Sequence, residues 1–112
     1  MSALNRDLAS LWDMNRAITD LQSFLENVTY ENYQNNLLLH RGIERELEIL
    51  GEAARRLSSQ FRDQHPEIDW KKIIGLRNII AHQYEDIRIE RIWEITQNDI
   101  PLLKAKLQPL LP

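Results

Sequence analysis

Apolar residues recur along this chain at helical and not at strand spacing. Leu4, Leu11, Ile18 and Leu25 fall every seventh residue, with Leu8, Met14, Leu21 and Val28 beside them. They form one stripe on a helix predicted from about Ala3 to Asn27. The polar run NVTYENYQNN that follows reads as a connection. A second stripe, Ile43, Leu47, Leu50, Ala54, Leu57 and Phe61, alternates steps of four and three. Glu44, Glu48 and Glu52 line the opposite face among Arg41, Arg45, Arg55 and Arg56, at spacings that favour surface ion pairs over a metal site. Gly51 inside this helix costs about 1 kcal/mol relative to alanine, which predicts a close helix crossing there.

The second helix must end before His65–Pro66, because the residue before proline avoids helical geometry. Asp69 is the expected N-cap of a third helix starting at Trp70. That helix would bury Ile73, Leu76 and Ile80, with Ile74 and Ala81 flanking. A fourth helix, from about Ile89, turns Ile92, Trp93 and Ile95 inward, and the charged EDIRIE segment around its start reads as a turn. Pro101 must kink or restart this helix, with Asp99 available as a cap. The tail LLKAKLQPLL then forms a short last helix. The expected fold is all-α: a four-helix up-and-down bundle with a short C-terminal helix, residues 1–112 making a single domain.

Composition narrows the function classes. An apolar fraction of 43% is ordinary globular usage and excludes a disordered chain. The longest apolar runs are too short for a membrane span. MSALNRDLAS has no basic segment followed by an apolar one, so no secretory signal is expected. Without cysteine there are no disulfides or thiolate zinc sites, and a reducing cytoplasm is the expected location. A net charge of −3 excludes a protein that grips nucleic acid over its whole surface. Arg55, Arg56, Lys71, Lys72 and Arg77 still cluster in the middle third, either as a local basic groove or as a solvated helical face.

The stretch RNIIAHQY, Arg77 to Tyr84, brackets core residues with an arginine, a histidine and a tyrosine. On an ideal helix His82 lies about 140° round from Arg77. The two converge on one ligand if the helix ends near His82, if Arg77 reaches round, or if a symmetric dimer brings Arg77 of one chain to His82 of the other. Histidine titrates near neutral pH and suits either proton role in RNA cleavage. Arginine stays charged and binds phosphate through paired hydrogen bonds. A dimer would supply two histidines, one as base and one as acid. On residues alone, a structural role for the pair stays open. His40 and His65 read as surface residues.

RNIIAHQY resembles the signature of the HEPN superfamily. LEILGEAARRLS, HPEIDWKKIIGLRNIIAHQY and IWEITQNDIPLLKAKL resemble its HepT branch, closely over about residues 40–107 and loosely in the first helix. The resemblance implies a HEPN-like homodimer and a metal-independent endoribonuclease without a cofactor. It would be the toxin of a type VII toxin–antitoxin system, acting on RNA such as tRNA. Arg77 and His82 would be the catalytic pair and Asn78 would assist in the cleft. Tyr84 would receive AMP from a minimal nucleotidyltransferase antitoxin, its cognate partner, and so silence the toxin. HEPN-like bundles also serve as non-catalytic partner or substrate-binding modules of such nucleotidyltransferases, and that is the competing expectation.

Overall fold

The computed structural model describes residues 2–112, the side chain of Ala3 excepted. Its elements are α1 (Ala3–Phe24), α2 (Tyr30–Gln34), α3 (Leu37–Arg56), α4 (Ser59–Gln64), α5 (Trp70–Ile74), α6 (Leu76–His82), α7 (Glu85–Glu94) and α8 (Ile100–Leu107). A π-helical turn, Ile95–Asp99, joins α7 to α8, and a 3₁₀ turn, Gln108–Leu110, follows. Among the described residues there is no strand, so the all-α expectation holds. Four rods make up the bundle: α1, α3, the α5–α6 pair, and α7 running through the π turn into α8. Among the described residues no helix is long and apolar enough to cross a membrane.

Both predicted stripes lie in the core. Leu11, Met14, Ile18 and Leu21 from α1 meet Ile43, Leu47, Leu50 and Ala54 from α3, all with essentially no exposed surface. Leu4, the first member of the first stripe, is 66% exposed and stands outside that core. The second stripe does not run on one helix to Phe61. The chain leaves the helix at Leu57 and starts α4 after Ser58. Asp7, buried on α1, causes the break by accepting from the Ser58 backbone N–H at 2.8 Å and from its hydroxyl at 2.7 Å. Ser58 in turn caps α4 through the Phe61 N–H.

The Asp69 cap is present, its carboxylate accepting from the Lys72 N–H at 3.1 Å. The crossing predicted at Gly51 is present too. A Cβ built there would stand 3.0 Å from the backbone oxygen of Ile73, so α3 and α5 touch backbone to backbone at this point. Near Pro101 the helix widens into the π turn, the Ile100 N–H reaching back five residues to Ile95, and α8 restarts at Ile100 with the proline in its first turn. The wider turn absorbs the donor and the ring space that a proline removes from an α-helix. Asp99 makes no cap and pairs instead with Lys72 at 3.1 Å.

Three further corrections concern polar residues. The NVTYENYQNN connection contains α2, and Tyr33 within it is completely buried. His40 is also buried: its Nε2–H donates to the Tyr33 carbonyl at 2.6 Å and its ring meets the Tyr33 ring edge-on. Glu44, expected on the solvent face, is 8% exposed. The stripe of α3 is wide enough to carry it to the edge of the core, where Arg41 at 3.0 Å and Arg88 at 3.1 Å balance its charge. Glu48 and Glu52 do form the expected surface pairs, with Arg45 and Arg55.

Candidate active site

The segment carrying Arg77 and His82 is a short helix pinned on one side. Leu76 is buried, Ile79 and Ile80 are half-buried against the core, and Arg77, Asn78, Ala81 and His82 face outward. Gly75 separates α5 from α6, so α6 takes its own direction and the expected single third helix is two pieces. The second piece ends at His82, because Gln83 and Tyr84 both adopt extended backbone. This is one of the geometries in which Arg77 and His82 can serve one ligand. The two Cα atoms are separated along the axis by about 7.5 Å, near the span of a phosphodiester and its neighbouring ribose.

No ion pair within the chain engages either residue among the described residues. An exposed arginine and histidine without partners have all their hydrogen-bonding capacity free for a ligand. Asn78 turns the other way and lines an open groove of about 650 Å³ between α4 and α5–α6. The lining of that groove does not include Arg77, His82 or Tyr84. One chain therefore presents Arg77 and His82 exposed near the end of α6, outside this groove. Among the described residues, no group of three or more histidine or acidic side chains is placed to hold a metal ion.

Tyr84 does not share the helix of Arg77. It is the residue before α7, 84% exposed, with its hydroxyl free to solvent. The EDIRIE segment is not a turn but the first turns of α7, where Glu85 and Asp86 complement the positive end of the helix. Two extended residues carry the chain about 7 Å from His82 to Tyr84, so the two residues lie close along the chain.

Residues not singled out from the sequence hold this turn in place. Arg88 donates through Nη1 to the Gln83 carbonyl at 3.4 Å and through Nε to Glu44 at 3.1 Å. One turn on, the Tyr33 hydroxyl donates to the Ile89 carbonyl at 2.7 Å. Burial pushes the Tyr33 phenol far above its ordinary range, so it remains a neutral donor. Arg88 was visible in principle: it stands four residues before the buried Ile92, on the inward face of α7.

The chain matches the family model described as Ribonuclease HepT-like over residues 14–110, a span that contains every residue of this site. It is 34% identical over 100 residues to the Methanocaldococcus jannaschii protein named "Putative RNase MJ1380", covering 89% of this chain and 92% of that one. It is 32% identical over 87 residues, 78% of each chain, to "Putative RNase TTE0752" of Caldanaerobacter subterraneus. Identity is 30% over 100 residues, 89% of this chain and 91% of the relative, to "Probable ribonuclease HepT" of Thermococcus cleftensis. No solved structure matches it at the same stringency. With a match running through α1, α3 and the Arg77–Tyr84 segment alike, this chain belongs to the HepT-like ribonuclease family.

Proposed function

We propose that this protein is the ribonuclease toxin of a toxin–antitoxin pair, a metal-independent endoribonuclease acting as a homodimer. The observation that carries the reading is the end of α6 at His82. It leaves Arg77 and His82 exposed and, among the described residues, outside any ion pair, on a segment matched by the ribonuclease family. One histidine takes the proton of a ribose 2′-OH, whose oxygen attacks phosphorus. The bond from phosphorus to the 5′-oxygen breaks, and the second histidine, from the other protomer, protonates the leaving oxygen. Arg77 balances the charge gathering on the non-bridging oxygens. An exposed patch on one chain gains a second wall when the same patch of a second chain faces it.

This chemistry makes a 2′,3′-cyclic phosphate and a free 5′-hydroxyl. The purified protein is expected to cut RNA equally well with and without EDTA, and to leave intact a strand whose 2′-hydroxyls are replaced by hydrogen. Cleavage of the all-deoxy strand, or its dependence on added metal, would overturn the mechanism.

Tyr84 is the switch. Its phenolic oxygen attacks the α-phosphorus of ATP on the partner nucleotidyltransferase, pyrophosphate leaves and the phenol proton goes to solvent. The attached AMP keeps one negative charge beside His82, where it competes with an RNA phosphate for Arg77. Tyr84→Phe is expected to keep full ribonuclease activity and to gain no AMP mass on incubation with ATP and that nucleotidyltransferase. AMP found on another residue of the variant would remove Tyr84 from this role.

A further inference from the structure

The basic cluster seen in the sequence divides in the fold according to what each cation already touches. Arg55 is held by Glu52 at 2.6 Å, Arg56 by Asp13 at 3.3 Å and Lys72 by Asp99 at 3.1 Å. Lys71 and Arg77 have no carboxylate partner among the described residues, and neither has Arg62, which the sequence did not mark. Arg62 and Lys71 line the same groove from opposite sides, one on α4 and the other on α5, and Asn78 closes it at the α6 end. Arg62 moreover has an enclosed Nε–H without any acceptor. Such an orphan donor is uncommon inside a protein and marks a guanidinium that is not anchored from within.

We propose that this groove is a phosphate-binding subsite for single-stranded RNA, holding the strand outside the scissile bond through Lys71 and Arg62. The proposal rests on the ribonuclease reading of Arg77 and His82, to which Asn78 connects it by sequence and by position. The charge inside the groove is favourable: Arg62 and Lys71 face one lining carboxylate, Asp63. Its volume of about 650 Å³ is that of a site for a ligand of nucleotide size, and its open form suits a strand passing through. Ser59 and Asn78 add neutral hydrogen-bonding groups beside the cations, as phosphate and ribose contacts require. The overall charge of −3 fits a local grip of this kind. Where half of the cations are neutralised by their neighbours, counterion release is available only at the unpaired ones.

The test separates binding from cleavage by using the intact chain carrying His82→Ala, with a short labelled single-stranded RNA titrated across a range of salt concentrations. Lys71→Gln and Arg62→Gln are each expected to weaken binding about threefold or more, and to reduce the slope of log affinity against log salt by about 0.7. Arg62→Lys should restore most of the loss. Lys104→Gln removes the same charge at a side chain bonded to Gln22, and is expected to change neither quantity. Lys71 is exposed, so its variant decides the matter even if Arg62→Gln folds poorly. Equal affinity and slope in Lys71→Gln and its parent, an equal loss in Lys104→Gln, or no RNA binding by the parent would each overturn the subsite. RNA that binds in the groove but is never cut by the wild-type chain would instead overturn the ribonuclease reading and leave the subsite standing.

Discussion

Replacing His82 with alanine is expected to lower RNA cleavage by about 10²- to 10⁴-fold, the usual loss when a positioned proton-transfer group is removed. The protein should stay folded. His82 is exposed at the last turn of α6, and alanine is the better helix former, so stability should move by no more than about 0.5 kcal/mol. Arg77→Ala is expected to fall as far by another route, since it removes the charge that offsets the developing negative phosphorus oxygens. Arg77→Lys keeps the charge but loses the paired donors, and should recover only part of the rate. Single-turnover cleavage with far-UV circular dichroism and a thermal melt on the same samples reads both halves of the expectation. An active, folded His82→Ala protein would show that the chemistry lies elsewhere.

The second large effect is on stability. Glu44→Ala is expected to cost about 3–5 kcal/mol, because it strips the carboxylate from Arg88 and leaves a nearly buried guanidinium with only the Gln83 carbonyl. Glu48→Ala, at a pair exposed on both sides, should cost no more than about 1 kcal/mol. Replacing Glu44 and Arg88 together by leucine and methionine should regain most of the loss, since no buried charge is then left unpaired. Urea unfolding midpoints of the three variants test this. A Glu44→Ala protein as stable as the wild type would mean that Arg88 finds other solvation.

What the sequence carried well was the pattern along each long helix. Residues such as Leu47 and Leu50 declare themselves by spacing, because a helix must put one face on the core whatever it packs against. The errors lie where a distant polar group decides. Asp7 ends the second helix from fifty-one positions away, and no local propensity near Ser58 announces it. His40 is buried because the Tyr33 carbonyl is there to receive its proton, which again is a tertiary fact. Arg77, Asn78, His82 and Tyr84 stand at the opposite extreme. They are exposed and outside any packing pattern, so periodicity is silent about them, and only the family signature distinguishes them from ordinary surface residues. Asn78 lines the groove beside α4 while Arg77 stays outside it, and a reading without α4 could not contain that groove.

The widened turn at Ile95–Asp99 makes chain length, and not side-chain identity, the sensitive quantity in that segment. A π turn holds one more residue than an α-helix uses over the same rise, so it behaves as a single-residue insertion. That extra residue is taken up inside the turn, so the helix after it keeps nearly the phase it would have without it. Ile92 and Ile95 before the turn, and Leu103 and Leu107 after it, are all buried, and α8 packs on α1. Dropping one residue from the turn would restore an unbroken α-helix with Leu103 and Leu107 still facing α1, whereas adding one would rotate the α8 face by about 100°. Gln97 and Asn98, both exposed, can vary in chemistry at little cost, and the turn can lose one residue but not gain one. A tolerance map of this protein would therefore show a short window permissive to substitution and to loss of one residue, and closed to insertion.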